Sequence, residues 1–200
     1  MIHVEIVKPA AGAIQPFIRL ADDINLGDPN WVRQPRREIT RLLTGKDNEL
    51  FAQGIQRFFL AYDGDKPVAR VLAGVDMRRN AQTGRSEGYF SLFESYDNMD
   101  YASAVLDAAA AFLKEHGITR AVGPVAPYYT DLNRGLLVEG FDGPPVLLNP
   151  YNPPYYQRLL EDYGFTKDRD FLAYLIQVDD MNLERFAPPN LRVQQRFGFK

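Results

Sequence analysis

Residues 149–165 combine groups that suit a ligand pocket with groups that shape the chain. The stretch NPYNPPYYQRLLEDYGF holds four tyrosines and three prolines. A tyrosine joins an apolar ring to a hydroxyl, so it suits both the edge of a core and the wall of a pocket. Asn152 followed by Pro153 predicts the start of a helix, because an amide side chain caps well and proline fits the first helical position. Tyr151 and Tyr155 are then the tyrosines left for a pocket.

The helix predicted within this stretch has an apolar face. Tyr156, Leu159, Leu160 and Tyr163 recur at helical spacing, and Gly164 predicts the end of the helix. Because a stripe of this kind is normally buried, core packing is the first interpretation of Tyr156.

The segment from Pro124 to this helix is rich in glycine, proline and tyrosine and predicts a long loop. Long ordered loops are often functional, and small-ligand pockets usually join apolar walls to a few fixed polar groups. Glycine and proline equally serve to shape turns, which is the structural alternative. The candidate substrate-binding residues are Tyr128, Tyr129, Asp131, Asn133, Asn149, Tyr151 and Tyr155.

Glu94 is a carboxylate at the end of a predicted strand, GYFSLFES over residues 88–95. In strict alternation it shares a face with Phe90 and Leu92. Burial on that face would raise its pKa. An exposed strand end is the alternative, since carboxylates are rarely buried.

The composition limits the classes of function. The 200 residues, 46% of them hydrophobic, suit one domain with a core of its own. The absence of cysteine excludes disulfides, thiolate metal sites and a cysteine nucleophile. His3 and His116 lie far apart, so we predict no metal site. The net charge of -3 argues against nucleic acid as a partner, since phosphate binding needs a basic surface.

The sequence also carries signals about location. No apolar run reaches the length of a membrane span, and the N-terminal residues do not form a signal peptide. We therefore expect a cytoplasmic protein. Arg33, Arg36, Arg37 and Arg41 form a basic cluster that we interpret as a solvated helix face. Peripheral contact with an anionic membrane surface is the alternative.

Hydrophobic periodicity and turn residues predict the element order β-α-α-β-β-β-α-β-α-β. Its centre is a hairpin whose turn is DGDK, residues 63–66. Asp97 and Asp100 predict a capping-box-like start of a long helix that ends at Gly117. This order predicts an α/β (α+β) protein with a mixed, mostly antiparallel sheet flanked by helices. Outside the hairpin, strands are predicted at residues 2–7, 88–95, 118–122 and 171–178, further helices at 14–24, 36–43 and 152–164, and a loop at 78–87.

This order and several long motifs resemble the GNAT superfamily, the acyl-CoA N-acyltransferases. FFLAYDGDKPVARV is similar to the antiparallel hairpin of that fold, and YGF before a strand is similar to its last helix and strand. WVRQPRREI, GLLVEGFDGPP and PYNPPYYQRLLEDYGF resemble, more narrowly, a bacterial GNAT-like family that includes the bacterial ceramide synthases. The resemblance implies the GNAT fold. It also implies transfer of an acyl group from an acyl-CoA or acyl carrier protein thioester to an amine, a lipid-like amine being one candidate.

The same resemblance implies a protein in two parts. Members of the narrower family are usually much longer and have a second GNAT-like half. The chain then corresponds to the N-terminal half or is a natural short form. We predict one GNAT-like domain over residues 1–180 and a tail or the start of a linker over 181–200. A second GNAT-like domain or a homodimer is the expected protein partner.

The resemblance assigns roles to two residues and leaves an alternative open. Some GNAT enzymes carry their base on the strand of Glu94, which makes Glu94 the candidate base. Many carry an acidic tyrosine at the position of Leu160, and Tyr156, one turn earlier on the same face, is the candidate acid. GNAT enzymes hold the pyrophosphate of coenzyme A on a basic, glycine-rich loop, whereas residues 93–101, FESYDNMDY, contain no glycine and no arginine. A non-catalytic binding half is therefore the alternative.

Overall fold

The computed structural model describes residues 1–45, 48, 50–51, 54–126, 135–146, 149–174 and 196. The chain divides into two compact units, Met1–Lys167 and Asp168–Lys200. All the elements below belong to the first unit. The predicted boundary between residues 180 and 181 lies outside the described part and stays a prediction.

A five-stranded sheet with the order β1-β2-β3-β4-β5 forms the centre of the first unit. The first four strands are antiparallel to their neighbours, and β5 is parallel to β4. A tight turn joins β2 to β3 as predicted, whereas the parallel β5 needs a helical crossover. The predicted fold class is confirmed. The strands are β1 (Ile2–Val7), β2 (Ile55–Asp63), β3 (Lys66–Val75), β4 (Glu87–Ser95) and β5 (Arg120–Val122).

Five helices of seven residues or more accompany this sheet in the described part of the first unit. The helix predicted at residues 36–43 and the ends predicted at Gly117 and Gly164 are confirmed, both glycines having positive φ. The helices are α1 (Gln15–Ile24), α2 (Arg36–Leu43), α3 (Met77–Thr83), α4 (Met99–Glu115) and α5 (Tyr156–Tyr163).

Helices cover both faces of the sheet. On one face, Phe112 of α4 and Leu159 of α5 belong to a buried cluster with Phe90 of β4. On the other face, Phe17 of α1 belongs to a second cluster with Leu72 of β3. Strand residues alternate between the two clusters because successive side chains point to opposite faces.

Residues 78–87 contain most of a helix, so the loop predicted there is wrong. The side chain of Asp76 accepts a hydrogen bond from the backbone N–H of Arg79 at 2.9 Å, and Gly84 ends α3 with φ of 65°. None of its residues is buried. The helix rests on its caps and carries no apolar stripe that periodicity could detect.

The starts of α4 and α5 also differ from prediction. The cap of α4 is Asn98, whose side chain accepts from the backbone N–H of Asp100 at 2.8 Å, and not the pair of Asp97 and Asp100. Asn152 does not cap α5, which begins later. Its buried amide instead accepts from the N–H of Leu137 at 2.8 Å and donates to the carbonyl of Leu137 at 3.2 Å. The hydrogen bonds to Leu137, which is distant in sequence, take the place of the predicted local cap.

The two strands predicted towards the C-terminus have different outcomes. The strand predicted at residues 118–122 covers Arg120–Val122. Residues 171–174 form no strand, and residues 175–178 lie outside the described part. Among the described helices, none is long and apolar enough to cross a membrane.

Candidate functional site

The parallel strands β4 and β5 separate after a short pairing. The last partners are Tyr89 and Val122, and β4 then continues alone on that side. Past the separation, the N–H of Val125 donates to the carbonyl of Phe90 at 3.0 Å, and the hydroxyl of Ser91 donates to the carbonyl of Val125. The edge of β4 beyond these contacts has no strand partner among the described residues, which opens a cleft in the sheet.

A β-bulge lies in β4 at this cleft. Arg70 of β3 pairs with Glu94, but Leu72 pairs with Ser91, so β4 has one residue more than β3 across this interval. Leu92, inside the bulge, has φ of 51°, a rare conformation for a non-glycine residue. Bulges of this kind often lie next to active sites, where they redirect a side chain.

The bulge decides the face on which Glu94 lies. Phe90 packs in the cluster below α4, whereas Leu92 contacts the cluster below α1, so the two do not share a face. Glu94 points with Arg70 to the side of α1. The predicted face shared by Glu94 and Phe90 is therefore wrong, because the inserted residue breaks the alternation.

Arg70 and Glu94 form a buried ion pair. Nη2 of Arg70 lies 3.3 Å from Oε1 of Glu94, and their side chains are 6% and 13% exposed. The guanidinium also donates to the carbonyl of Phe17 and, at 3.3 Å, to that of Ile18. It lies 4.8 Å from the ring centroid of Phe17. One cation thus ties α1, β3 and β4 together.

Two tyrosines at the start of α5 bind the same region of β4. The hydroxyl of Tyr156 donates to Oε2 of Glu94 at 2.6 Å and accepts from the N–H of Ser95 at 3.1 Å. The hydroxyl of Tyr155 donates to the carbonyl of Ser95 at 2.8 Å. Each carboxylate oxygen of Glu94 therefore has a fixed partner, Arg70 on one side and Tyr156 on the other.

Burial controls the proton affinities of this cluster. Desolvation raises the pKa of Glu94, and Arg70 and Tyr156 partly oppose that rise. Desolvation, followed by the negative charge of Glu94, raises the pKa of Tyr156 well above its usual value. The pKa of Tyr155 is raised mainly by burial as well. Both phenols therefore keep their protons at neutral pH, which is the state a proton donor needs.

A cavity of about 190 Å³ opens above this cluster. Glu94, Arg70 and Tyr156 line it together with residues of α1, the α1–α2 loop and the segment before α5. Its wall is mostly apolar, with contributions from Ile18, Val32, Ile39, Leu92, Val125 and Leu136. Apolar walls around a few fixed polar groups are the usual design of a small-molecule site.

A second carboxylate, Asp22, lines the same cavity and is 8% exposed. It accepts a hydrogen bond from the indole of Trp31 at 3.2 Å. Arg33 and Arg36 lie 3.1 Å and 3.4 Å from its Oδ2. Through its contacts with Trp31 and Arg33, Asp22 holds the α1–α2 loop against α1.

The α1–α2 loop and the segment before α5 meet at the cavity. The hydroxyl of Tyr151 donates to Asp28 at 2.5 Å, and the rings of Tyr151 and Trp31 lie 6.2 Å apart. Burial, followed by the hydrogen bond to Asp28, raises the pKa of Tyr151 to about 12. Asn30 adds a 3.3 Å hydrogen bond to the carbonyl of Phe141. These contacts hold Trp31 and Tyr151, which both line the cavity.

Comparison with solved structures identifies the fold. A predicted acetyltransferase from Clostridium acetobutylicum, solved with acetyl-CoA, aligns over 92% of this chain and 98% of that chain, with a TM-score of 0.52 and 14% identity. The chain has the GNAT fold. A tandem GNAT protein from the clavulanic acid biosynthesis pathway aligns over 82% of this chain and 43% of its own, with a TM-score of 0.53 and 9% identity. No family model matches the chain.

Sequence relatives support the narrower resemblance. The chain is 35% identical over 164 residues to a bacterial ceramide synthase from Caulobacter vibrioides. This alignment covers 80% of this chain and 42% of the relative. It is 29% identical over 177 residues to protein YghO from Escherichia coli, covering 88% and 44%. The resemblance to GNAT proteins of the ceramide-synthase type is thereby confirmed. The chain spans less than half the length of either relative.

The turn before α4 does not fit the pyrophosphate that the GNAT resemblance places there. Asn98 already binds the N-terminal backbone of α4, and Asp97 and Asp100 lie on either side of it. A carboxylate and a phosphate charge 4 Å apart repel by roughly 1 kcal/mol in water. Asp97 and Asp100 therefore oppose the nucleotide of coenzyme A at this position of the GNAT fold.

The predicted site residues divide into three groups. Glu94 and Tyr156, the predicted base and acid, are in direct contact, and Asn149 and Tyr151 line the same cavity. Tyr155 contacts Ser95 next to this cluster. Tyr128, Tyr129, Asp131 and Asn133 lie outside the described residues, so their role stays a prediction.

Sequence reasoning missed Arg70, Asp22 and Trp31. A charged residue within the apolar strand KPVARVLAGV was the available signal for Arg70, because a buried charge requires a partner. Nothing local indicated that Asp22 and Trp31 meet. Among the described residues, no cluster of three or more metal-ligating side chains occurs.

Proposed function

We propose that this chain carries an acyl-transfer site of the GNAT type that joins an acyl thioester to an amine. The observation that carries the proposal is the buried contact between Tyr156 and Glu94 beside the β-bulge, at the floor of the cavity. The GNAT fold and the similarity to a ceramide synthase support acyl transfer as the reaction class. Because the chain spans 42% of that relative, the activity of the relative remains a proposal here.

In the proposed reaction, Glu94 takes the proton that the amine loses as its nitrogen attacks the thioester carbonyl. The C–N bond forms and the C–S bond breaks, which leaves an amide and a thiolate. Tyr156 donates its hydroxyl proton to the thiolate and recovers a proton from Glu94 across the 2.6 Å contact. The amine proton thus ends on the sulfur, and both side chains return to their starting states. A raised carboxylate pKa favours the first step, because it brings the base nearer to neutral pH.

The proposed acceptor is an amine with an apolar body. The wall formed by Trp31, Val32 and Ile39 suits an apolar chain, and Glu94 in the same cavity would take the proton of the attacking amine. A lipid-like amine is the class that combines these features, and the relative named as a ceramide synthase supports it. The basic residues of α2, beside this wall, would allow peripheral contact with an anionic membrane.

A panel of thioesters and primary amines tests the proposal. Thiol release and the mass of the amide product are measured with the purified chain and with two variants, Glu94→Gln and Tyr156→Phe. We expect Glu94→Gln to lower kcat/KM by roughly 10²-fold or more, the usual contribution of a general base. Glu87→Gln and Tyr163→Phe are the matched controls, since Glu87 pairs with Arg120 and Tyr163 with Asp107. Full activity in the Glu94→Gln variant would refute the assigned base.

A non-catalytic binding half is the second candidate. The acidic, self-capped turn before α4 favours it, because a GNAT enzyme that uses acyl-CoA needs an anion site there. This alternative predicts no turnover by the chain alone and saturable binding of an amphiphilic amine in the cavity. It also predicts that amide appears only after a second GNAT-like domain is added.

A further inference from the structure

We infer that this chain recognises an acyl thioester by its arm and does not bind the nucleotide part of coenzyme A. The inference rests on the proposed function for the identity of the ligand. It concerns the side of the site that would bind the acyl donor. There, described side chains already bond to the backbone groups and pair with the cations that a nucleotide would need. The donor class that remains is a thioester arm whose distal part is held outside these residues.

The N-terminus of α4 is the first of these occupied positions. Helix N-termini attract anions because their first N–H groups are unpaired and the helix dipole is positive there. Asn98 already accepts from the N–H of Asp100 at 2.8 Å. The carboxylate of Asp100 in the first turn supplies negative charge that the dipole favours. Asp97 directly precedes the cap. A pyrophosphate would have to displace the cap and approach both carboxylates.

The cations near this turn are already engaged. Arg158 of α5 forms an ion pair with Asp97 and lies 3.5 Å from Asp162. Lys66 lies over the ring of Tyr96, 4.4 Å from its centroid. Arg158 thus pairs with Asp97 and Asp162, Lys66 contacts an aromatic ring, and Asp100 adds a third carboxylate. The local charge remains negative, which is unfavourable for a ligand with several phosphate charges.

The second occupied position is the edge of β4 that has no strand partner among the described residues. Beyond the point where β5 leaves β4, an extended ligand with amide groups could add to this edge as a strand does. At Ser95 both backbone groups are already bonded. The N–H donates to the hydroxyl of Tyr156 at 3.1 Å, and the carbonyl accepts from the hydroxyl of Tyr155 at 2.8 Å. An arm in this cleft is therefore limited to the stretch of β4 before Ser95, next to the bulge and Glu94.

These contacts belong to the packed structure of the first unit. Tyr156 is 1% exposed, and its ring lies 5.3 Å from that of Phe93 in the core. Tyr155 and Tyr156 also pack against each other with ring centroids 5.2 Å apart. Displacing either hydroxyl from Ser95 would disturb the docking of α5. The hydrogen bonds that block the edge of β4 at Ser95 are thus part of the fold of this domain.

A series of donors that differ only beyond the thioester arm tests the inference. The same acyl group is attached to N-acetylcysteamine, to pantetheine, to coenzyme A and to an acyl carrier protein, and kcat/KM is compared. We expect acyl-pantetheine and acyl-CoA to agree within about threefold, because the nucleotide adds no favourable contact. A preference of tenfold or more for acyl-CoA would overturn the inference. A comparable preference for the carrier protein would identify the holder of the arm and support it.

Binding of free coenzyme A, measured by calorimetry, gives an answer that does not depend on turnover. We expect no saturation below millimolar concentration, and micromolar binding would overturn the inference. If no thioester is turned over, the proposed function fails, whereas the binding result still decides the inference.

Charge variants test the physical cause. Each carboxylate near 4 Å from a phosphate weakens binding by roughly fivefold in water, so Asp97→Asn with Asp100→Asn should bind coenzyme A at least about tenfold more tightly than the native chain. Asp107→Asn is the control, because this exposed aspartate lies further along α4 and pairs with Tyr163. Unchanged affinity in the double variant, or an equal gain in the control, would contradict the role given to the acidic turn.

Discussion

Replacing Arg70 with methionine removes the cation that neutralises Glu94 and keeps a side chain that fills much of the same space. Arg70 is 5% exposed and makes hydrogen bonds to Glu94 and to two carbonyls of α1. Breaking one partner of a buried ion pair typically costs about 3–5 kcal/mol, because the remaining charge is left desolvated. We expect the free energy of unfolding at pH 7 to fall by about that amount.

The loss of stability should increase with pH, because it comes from the charge on Glu94. Without Arg70, the pKa of Glu94 in the folded chain rises further above its unfolded value of ~4.3, because the attraction and hydrogen bond that lower it are gone. A carboxyl with a raised folded pKa binds more protons in the folded state. The penalty is therefore absent below the unfolded pKa and grows as pH rises toward the folded pKa. The variant should lose less stability at pH 5 than at pH 7.

Urea denaturation of four proteins at both pH values measures these effects. They are the native chain, Arg70→Met, Glu94→Gln and the double variant. We expect the double variant to be more stable than Arg70→Met at pH 7, since glutamine carries no charge into the core. A loss in Arg70→Met that is the same at both pH values, or additive losses in the double variant, would refute the argument from a buried unpaired charge.

Three further substitutions test the fold. Asn152→Ala should lower the free energy of unfolding by about 1–3 kcal/mol, because the N–H and carbonyl of Leu137 lose their partners, while the helix content by circular dichroism stays unchanged. Asp76→Ala removes the cap of α3 and should cost about 1 kcal/mol in the same urea titration, with no loss if α3 does not depend on this cap. Gly123→Ala places a Cβ 2.6 Å from the carbonyl oxygen of Phe90 and should cost about 1–3 kcal/mol, so a thermal midpoint equal to the native one would contradict this packing.

The sequence predicted the elements better than the contacts between them. Periodicity located β1, α1, α2 and the β2–β3 hairpin because each has an apolar face of regular spacing. It missed α3, whose residues are exposed and which rests on the caps provided by Asp76 and Gly84. It also assigned Asn152 to a local cap, although two hydrogen bonds to Leu137 hold its amide. Local rules fail where a distant backbone group offers a better partner.

The candidate site follows the same division. By itself, the sequence determined that Glu94 ends a strand and that Tyr156 lies on the inner face of a helix, since both follow from spacing along the chain. Only the tertiary structure decided that the two touch, and that Arg70 holds the other oxygen of Glu94. The bulge at Leu92 is the physical reason, because one extra residue in β4 turns Glu94 from the face of Phe90 to the face of Arg70. A residue of β4 is extra only relative to β3, so the sequence of β4 alone does not reveal the bulge.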